Sequence, residues 1–165
     1  MVSYVASGGE VSITFIDMLL PRCTWVNMND QLYIKYHDLE WGKPVRTERD
    51  LFEILSLEIF QSGLSWSTIL HKREGFRRVF LNFEPALVAE LSIKDLDSML
   101  LDPSIIRHRG KILSVINNAR IIEGLRSNGY LFYSLICSFL DKEAINNFKS
   151  LELMPSHTII SENIS

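Results

Sequence analysis

Glu58 is the residue of this sequence that most needs an explanation. It stands between Leu57 and Ile59, near Leu55 and Phe60, in a stretch with little other polar surface. A carboxylate in such surroundings either finds a partner or has its ionisation shifted. Tyr33, Tyr36, Trp41 and Trp66 occupy neighbouring segments. Aromatic faces around one carboxylate suit a flat, positively charged ligand, because the rings attract the cation while the acid pairs with its edge. The competing reading has Glu58 facing solvent and the rings filling a core. A second concentration of chemistry is DPSIIRHRGKI, Asp102 to Ile112, where Arg107, His108, Arg109 and Lys111 crowd around Gly110. Such a hairpin can aim backbone N–H groups and a helix N-terminus at one phosphate, with cations around it. Contacts of this kind position a protein on nucleic acid without reading its sequence. On charge alone, a solvated turn is the simpler reading. Lys72, Arg73, Arg77 and Arg78 add a second basic group on another helix, which strengthens the case for nucleic acid.

Cys23 and His37 are metal-ligand types with 13 residues between them. A structural zinc takes four donors, and no pair among Cys137, His71, His108 and His157 has ligand spacing. Standing alone, His37 reads as a hydrogen-bonded helix residue. The 165 residues fit one domain with a substantial core, and 47% apolar with 22% charged residues excludes a disordered chain. A formal net charge of −3 leaves any binding of nucleic acid to local patches. Two cysteines do not make a disulfide framework, which favours a reducing, cytoplasmic setting. Met1 to Leu20 lacks a basic leader and is interrupted by Glu10 and Asp17, so no signal peptide is expected. No membrane partner is expected either, since no window approaches the roughly 20 apolar residues of a span.

The elements that must position these groups are helical. Leu32, Tyr33, Tyr36 and His37 fall at helical spacings on a short helix ending near Gly42. Thr47 reads as the cap of a helix carrying Leu51, Phe52, Leu55 and Glu58, closed by Ser62-Gly63. Another helix is predicted from about Ser65 to Phe80, then short ones over Ala86 to Leu91 and after Ser92. Beyond the hairpin, Ile112, Val115, Ile116, Ala119 and Ile122 predict a long helix ending at Ser127-Asn128-Gly129, and a last one covers about Leu131 to Leu140. No segment alternates with period two, so the fold is expected to be all-α. Residues 1–20 read as a poorly ordered extension, with Met18 a plausible alternative start, and residues 21–165 as one helical domain. The stretch from Glu152 to Ser165 reads as a connection that leads onward, which predicts truncation.

Taken together, RCTWV (from Arg22), LYIKYHDLEWGKP (from Leu32), LFEILSLEIFQSGLSW (from Leu51) and IIRHRGKI (from Ile105) resemble the DNA-3-methyladenine glycosylase I family of the helix-hairpin-helix superfamily. The resemblance covers about Arg22 to Pro155. It implies a helix-hairpin-helix glycosylase fold that excises 3-methyladenine from double-stranded DNA in base-excision repair, as a monomer. Position by position, it implies that Glu58 reads the base edge and serves the chemistry, that Trp66 stacks on the base, and that Tyr33 and Tyr36 complete the pocket. It further implies that Ser62, Gly63 and Leu64 approach the gap left in the duplex. Ile105, Ile106, Arg107, His108, Arg109, Gly110 and Lys111 match the DNA-anchoring hairpin. Cys23 and His37 match half of a structural zinc site.

No Asp occurs between Asp102 and Asp141, so the acid that many superfamily members carry after the hairpin is absent, as in this family. A cationic base is already a good leaving group, and no lysine stands out in the pocket motifs as a Schiff-base former, so monofunctional hydrolysis without a lyase step is expected. Three departures stand out. The extension before Met18 has no counterpart in the family. Ser104 replaces a hairpin glycine, which raises the prospect of strain at a positive φ. The remaining zinc ligands are missing, so no stable zinc site is expected in this chain. The alternative to a competent glycosylase is a remnant that binds DNA through the hairpin and catalyses nothing.

Overall fold

The computed structural model describes residues 22–139, together with Ile159 and Glu162. The N-terminal extension, and nearly all of the chain beyond Phe139, lie outside the described residues. Among the described residues every regular element is a helix, as the periodicity predicts. They fall into two compact units divided after Gly42.

The first unit is built on α1 (Gln31–Leu39). Asp30 caps it, its carboxylate accepting from the Tyr33 N–H at 3.2 Å. The Trp25 ring sits 5.4 Å from Tyr33 and 5.2 Å from both His37 and Trp41, centre to centre. Gly42, at φ +71°, takes a conformation that a side chain would resist.

The second unit holds α2 (Glu48–Gln61), α3 (Trp66–Val79), α4 (Pro85–Ala89), α5 (Ile93–Met99), α6 (Arg109–Ser127) and α7 (Phe132–Ser138). Thr47, Ser65 and Ser92 cap α2, α3 and α5 through their hydroxyls, and Ser92 forms a capping box with Asp95. Between α3 and α4 lies a single turn, Leu81–Phe83, whose three residues all have positive φ. That conformation costs about 1–2 kcal/mol per residue. Burial of Phe83 and two hydrogen bonds from Arg49 to Asn82 offset it.

α6 runs through the middle of this unit, packing on α2, α4, α5 and α7. Its buried stripe of Ile112, Val115, Ile116, Ala119 and Ile122 matches the stripe expected from the sequence. Phe52, Phe60, Phe76, Phe80 and Phe83 form a continuous aromatic core, with Phe60 and Phe76 only 4.4 Å apart. Such ring pairs contribute about 0.5–1.5 kcal/mol each beyond their buried area.

Glu53 is the charged residue embedded beside this core, with 1% of its surface exposed. Its carboxylate accepts from Arg73 Nε at 2.6 Å and from Arg77 Nε at 2.8 Å, and pairs with Arg49 at 3.2 Å. The arrangement ties α2 to α3 through charges that would be costly to bury singly. Glu53→Ala removes the acceptor that Arg49, Arg73 and Arg77 share, so it is expected to cost about 3 kcal/mol. In urea, the unfolding midpoint should fall with the slope unchanged; a shift of a few tenths of a kcal/mol would show that solvent screens the network.

Candidate functional site

Holding Glu53 against α3 decides where Glu58 points. Five residues further along α2, Glu58 is rotated by about 140° about the helix axis. Its side chain is exposed, and the carboxylate has no hydrogen bond or ion pair among the described residues. Desolvation alone pushes its pKa above the ordinary glutamate value. The sequence suggested a carboxylate in apolar surroundings; the structure shows a partly desolvated anion without a counter-charge among the described residues. Between Glu53 and Glu58, the neutralised and fully buried carboxylate is Glu53.

α2 stops at Gln61 because Gly63 turns the chain at φ +81°. Leu64 N–H donates to the Gln61 carbonyl at 2.7 Å, and Gln61 Nε2 returns a bond to the Leu64 carbonyl at 3.2 Å. The turn Ser62-Gly63-Leu64 is therefore tight, yet the Leu64 side chain remains 37% exposed. Trp66 opens α3 immediately afterwards, its ring packed against the core edge.

The hairpin is seated on α3. Asp102 accepts from the Ser104 N–H at 2.8 Å and from Arg78 at 3.1 Å. These bonds, with that of the Ser104 side chain the largest influence, hold the Asp102 carboxyl at about 2. Arg78 also donates to Ser104 Oγ at 2.8 Å, and Lys72 Nζ to the Pro103 carbonyl at 2.7 Å. Gly75 lets the chain come this close, since a Cβ there would collide with the Ser104 carbonyl and hydroxyl.

Two expectations change here. Ser104 is not at a positive φ, so it causes none of the backbone strain raised by the missing glycine; its N–H and hydroxyl are used instead. The basic group of Lys72, Arg73, Arg77 and Arg78 does not form a second free phosphate-binding face. Arg73 and Arg77 neutralise Glu53, while Lys72 and Arg78 hold the hairpin.

The hairpin's own residues divide by role. Ile105 is buried in the core, leaving only its main chain for a partner, and Ile106 packs against the core edge. The His108 N–H closes a three-residue turn on the Ile106 carbonyl at 2.9 Å. The His108 ring caps α6, Nδ1 accepting from the Lys111 N–H at 3.2 Å. Arg109 makes an exposed ion pair with Asp97 at 3.2 Å. Lys111 Nζ donates to the carbonyls of Phe60 and Ser62. Arg107 is exposed and has no side-chain partner among the described residues. The Arg109 and Gly110 N–H groups open α6 without intrahelical partners, as the first turn of any helix must.

In the first unit, Asp38 is gripped by Arg22, whose hydrogen bonds hold its carboxyl below the ordinary aspartate range. Asp38 Oδ1 lies 2.8 Å from His37 Nδ1, and His37 Nε2 accepts from the Cys23 N–H at 3.3 Å. Both ring nitrogens are thus engaged. Among the described residues, no group of three or more His, Cys, Asp or Glu side chains is placed to hold a metal. Cys23 and His37 are two of the four donors that a tetrahedral zinc takes. Tyr33 and Tyr36 share α1 with His37, and burial is the main reason the Tyr33 phenol titrates above its ordinary value.

The profile of the methyladenine glycosylase family matches residues 25–165, which include the α2 carboxylate, the Leu64 turn and the hairpin. The chain belongs to this family. It is 41% identical over 147 residues to DNA-3-methyladenine glycosylase 1 of Escherichia coli, across 88% of this chain and 78% of that protein. A crystal structure of a 3-methyladenine DNA glycosylase I superposes with a TM-score of 0.84 at 43% identity, covering 87% of this chain and 79% of the other. A Tyr-to-Phe variant of a 3-methyladenine DNA glycosylase I, in complex with 3-methyladenine, gives a TM-score of 0.64 at 34% identity over 68% and 60% of the two chains.

Sequence reasoning did not identify Trp25 as a hub of aromatic contacts in this glycosylase, although a tryptophan close to Cys23 was a usable signal. It also overlooked Glu53 and the clasp made by Lys111. Glu53 was findable as a carboxylate at the same helical repeat as buried Phe52 and Ser56. The Lys111 clasp was not, because its partners are backbone carbonyls.

The raised pKa of Glu58 has a consequence for stability. Its charged form is disfavoured in the fold, so its contribution is fully present below the unfolded glutamate pKa of about 4.3 and is lost as pH rises through the higher folded value. Glu58→Gln is therefore expected to leave the protein as stable at pH 7 or more so, by less than about 1 kcal/mol given solvent screening. The difference should vanish toward pH 4. A clear loss of stability at pH 7 in thermal melts would point instead to a structural role for the carboxylate.

Proposed function

We propose that this chain hydrolyses the N-glycosidic bond of 3-methyladenine in double-stranded DNA, acting as a monofunctional, monomeric enzyme of base-excision repair. Glu58 carries the reading: a partly desolvated carboxylate without a partner among the described residues is suited to a cationic base edge and gives little reward to a neutral one. Trp66 would stack on the base. Selectivity then follows from charge, since methylation at N3 makes adenine a cation.

The same charge weakens the bond to the sugar. As the base departs with the bonding electrons it becomes neutral, and the sugar carries oxocarbenium character at C1′. Water adds to C1′ and releases its proton to solvent. Extrusion of the base costs a few kcal/mol, less for a damaged one. Leu64, apolar and exposed on a tight, hydrogen-bonded turn, is suited to fill the gap left in the stack. Arg107 and the free N–H groups at the start of α6 would meet the phosphates. Cys23 and His37 supply two of the four donors a zinc site needs, and we propose that this chain does not hold zinc stably.

Purified protein is expected to release free 3-methyladenine from alkylated DNA, and Glu58→Ala to slow release about 10- to 100-fold through loss of a charged hydrogen-bond partner. A folded protein that releases no base would overturn the enzymatic reading and leave a module that only binds DNA. Arg107→Ala should weaken binding to all duplex sequences alike and lower the salt slope by about one. A loss confined to one DNA sequence would rule out the phosphate role.

A further inference from the structure

Lys111 is engaged at both ends. It is the third residue of α6, and its N–H is held by the His108 ring that caps the hairpin. Its side chain is partly buried and donates to the Phe60 carbonyl at 3.0 Å and the Ser62 carbonyl at 2.6 Å. Those oxygens end α2, where carbonyls lack intrahelical donors and the helix dipole favours a cation. The Ser62 N–H bonds in turn to the Glu58 carbonyl at 3.2 Å. A continuous set of hydrogen bonds therefore leads from the hairpin cap through Lys111 to the Leu64 turn and the helical turn bearing Glu58.

We propose that Lys111 is a positioning residue for base excision: its ammonium fixes the Ser62–Leu64 turn and the end of α2 relative to the hairpin, and does not contact phosphate. The motif places a cation at this hairpin position, where a DNA contact is the natural expectation. The ammonium already spends two of its three N–H donors on these carbonyls, which hold it at the end of α2 and away from the exposed face that Arg107 offers. Grip on the backbone falls to Arg107 and the α6 N-terminus, while Lys111 passes the hairpin's position to the residues that fill the gap and read the base. The inference rests on the glycosylase reading above.

Lys111→Met keeps the length and apolar stem but removes the donors; Lys111→Gln restores neutral N–H donors without charge. Three measurements apply: single-turnover release of 3-methyladenine at saturating protein, salt dependence of binding to undamaged duplex, and quenching of tryptophan fluorescence by free 3-methyladenine. Lys111→Met should excise at least about 10-fold more slowly, the scale of a modest misplacement of reacting groups. It should keep the parental salt slope and affinity for free base. Lys111→Gln should recover part of the lost rate.

A salt slope lowered by about one in either variant would make Lys111 a phosphate contact and overturn the proposal. So would parental excision by Lys111→Met, or equal loss in both variants. Loss of free-base affinity or of the helical circular-dichroism spectrum in both would make it a folding residue and overturn the proposal as well. If the parental protein releases no base, the glycosylase reading fails by itself. The salt slope still decides whether Lys111 touches phosphate.

Discussion

The structure of the second unit depends on keeping one buried carboxylate neutralised. Glu53 lies beside the phenylalanine core, and three arginines from α2 and α3 surround it. An apolar residue of similar volume would avoid the desolvation penalty. What the ion network adds is direction: guanidinium groups accept a carboxylate in few orientations, which restricts how α2 and α3 can meet. The rotation of α2, and with it the position of Glu58, follows from that contact. So does the approach of Trp66, which stands at the start of the partner helix.

The placement of charge follows a simple division. Most ionised side chains around the site are spent on structure: Asp102, Arg78 and Lys72 on seating the hairpin, and Lys111 on the end of α2. Within the first unit, Asp38 and Arg22 are likewise spent on orienting His37. Two groups differ. Glu58 is a partly desolvated anion and Arg107 an exposed cation, neither with a side-chain partner among the described residues. They carry the charges opposite to a cationic base and to phosphate. A carboxylate held without a partner costs stability, which is the usual exchange at a binding site.

The hairpin shows why a motif can be read correctly while its residues are misassigned. The string IIRHRGKI places four basic residues within five positions, and a linear reading treats them as equivalent. In three dimensions one is exposed and unpartnered, one caps a helix, one pairs with Asp97 and one reaches across to α2. These assignments depend on groups 3 to 51 residues away in sequence, several of them main-chain carbonyls identical at every residue. No spacing rule in the hairpin could have separated them.

Much was nevertheless legible from sequence. The helices, their caps at Thr47 and Ser92, the turn at Gly63 and the buried stripe of α6 are local, because helix period and capping chemistry act within a few residues. The family resemblance was legible for the same reason, carried by contiguous strings. The carboxylate at position 58 stood out as a group in need of a partner, and so did the basic crowding before α6. Only the tertiary structure decided that Glu53 and not Glu58 is the neutralised carboxylate, that Ser104 is unstrained, and that the α3 arginines face inward. Those outcomes depend on which helix faces close on one another, and a charge is paired or left free only once they have met.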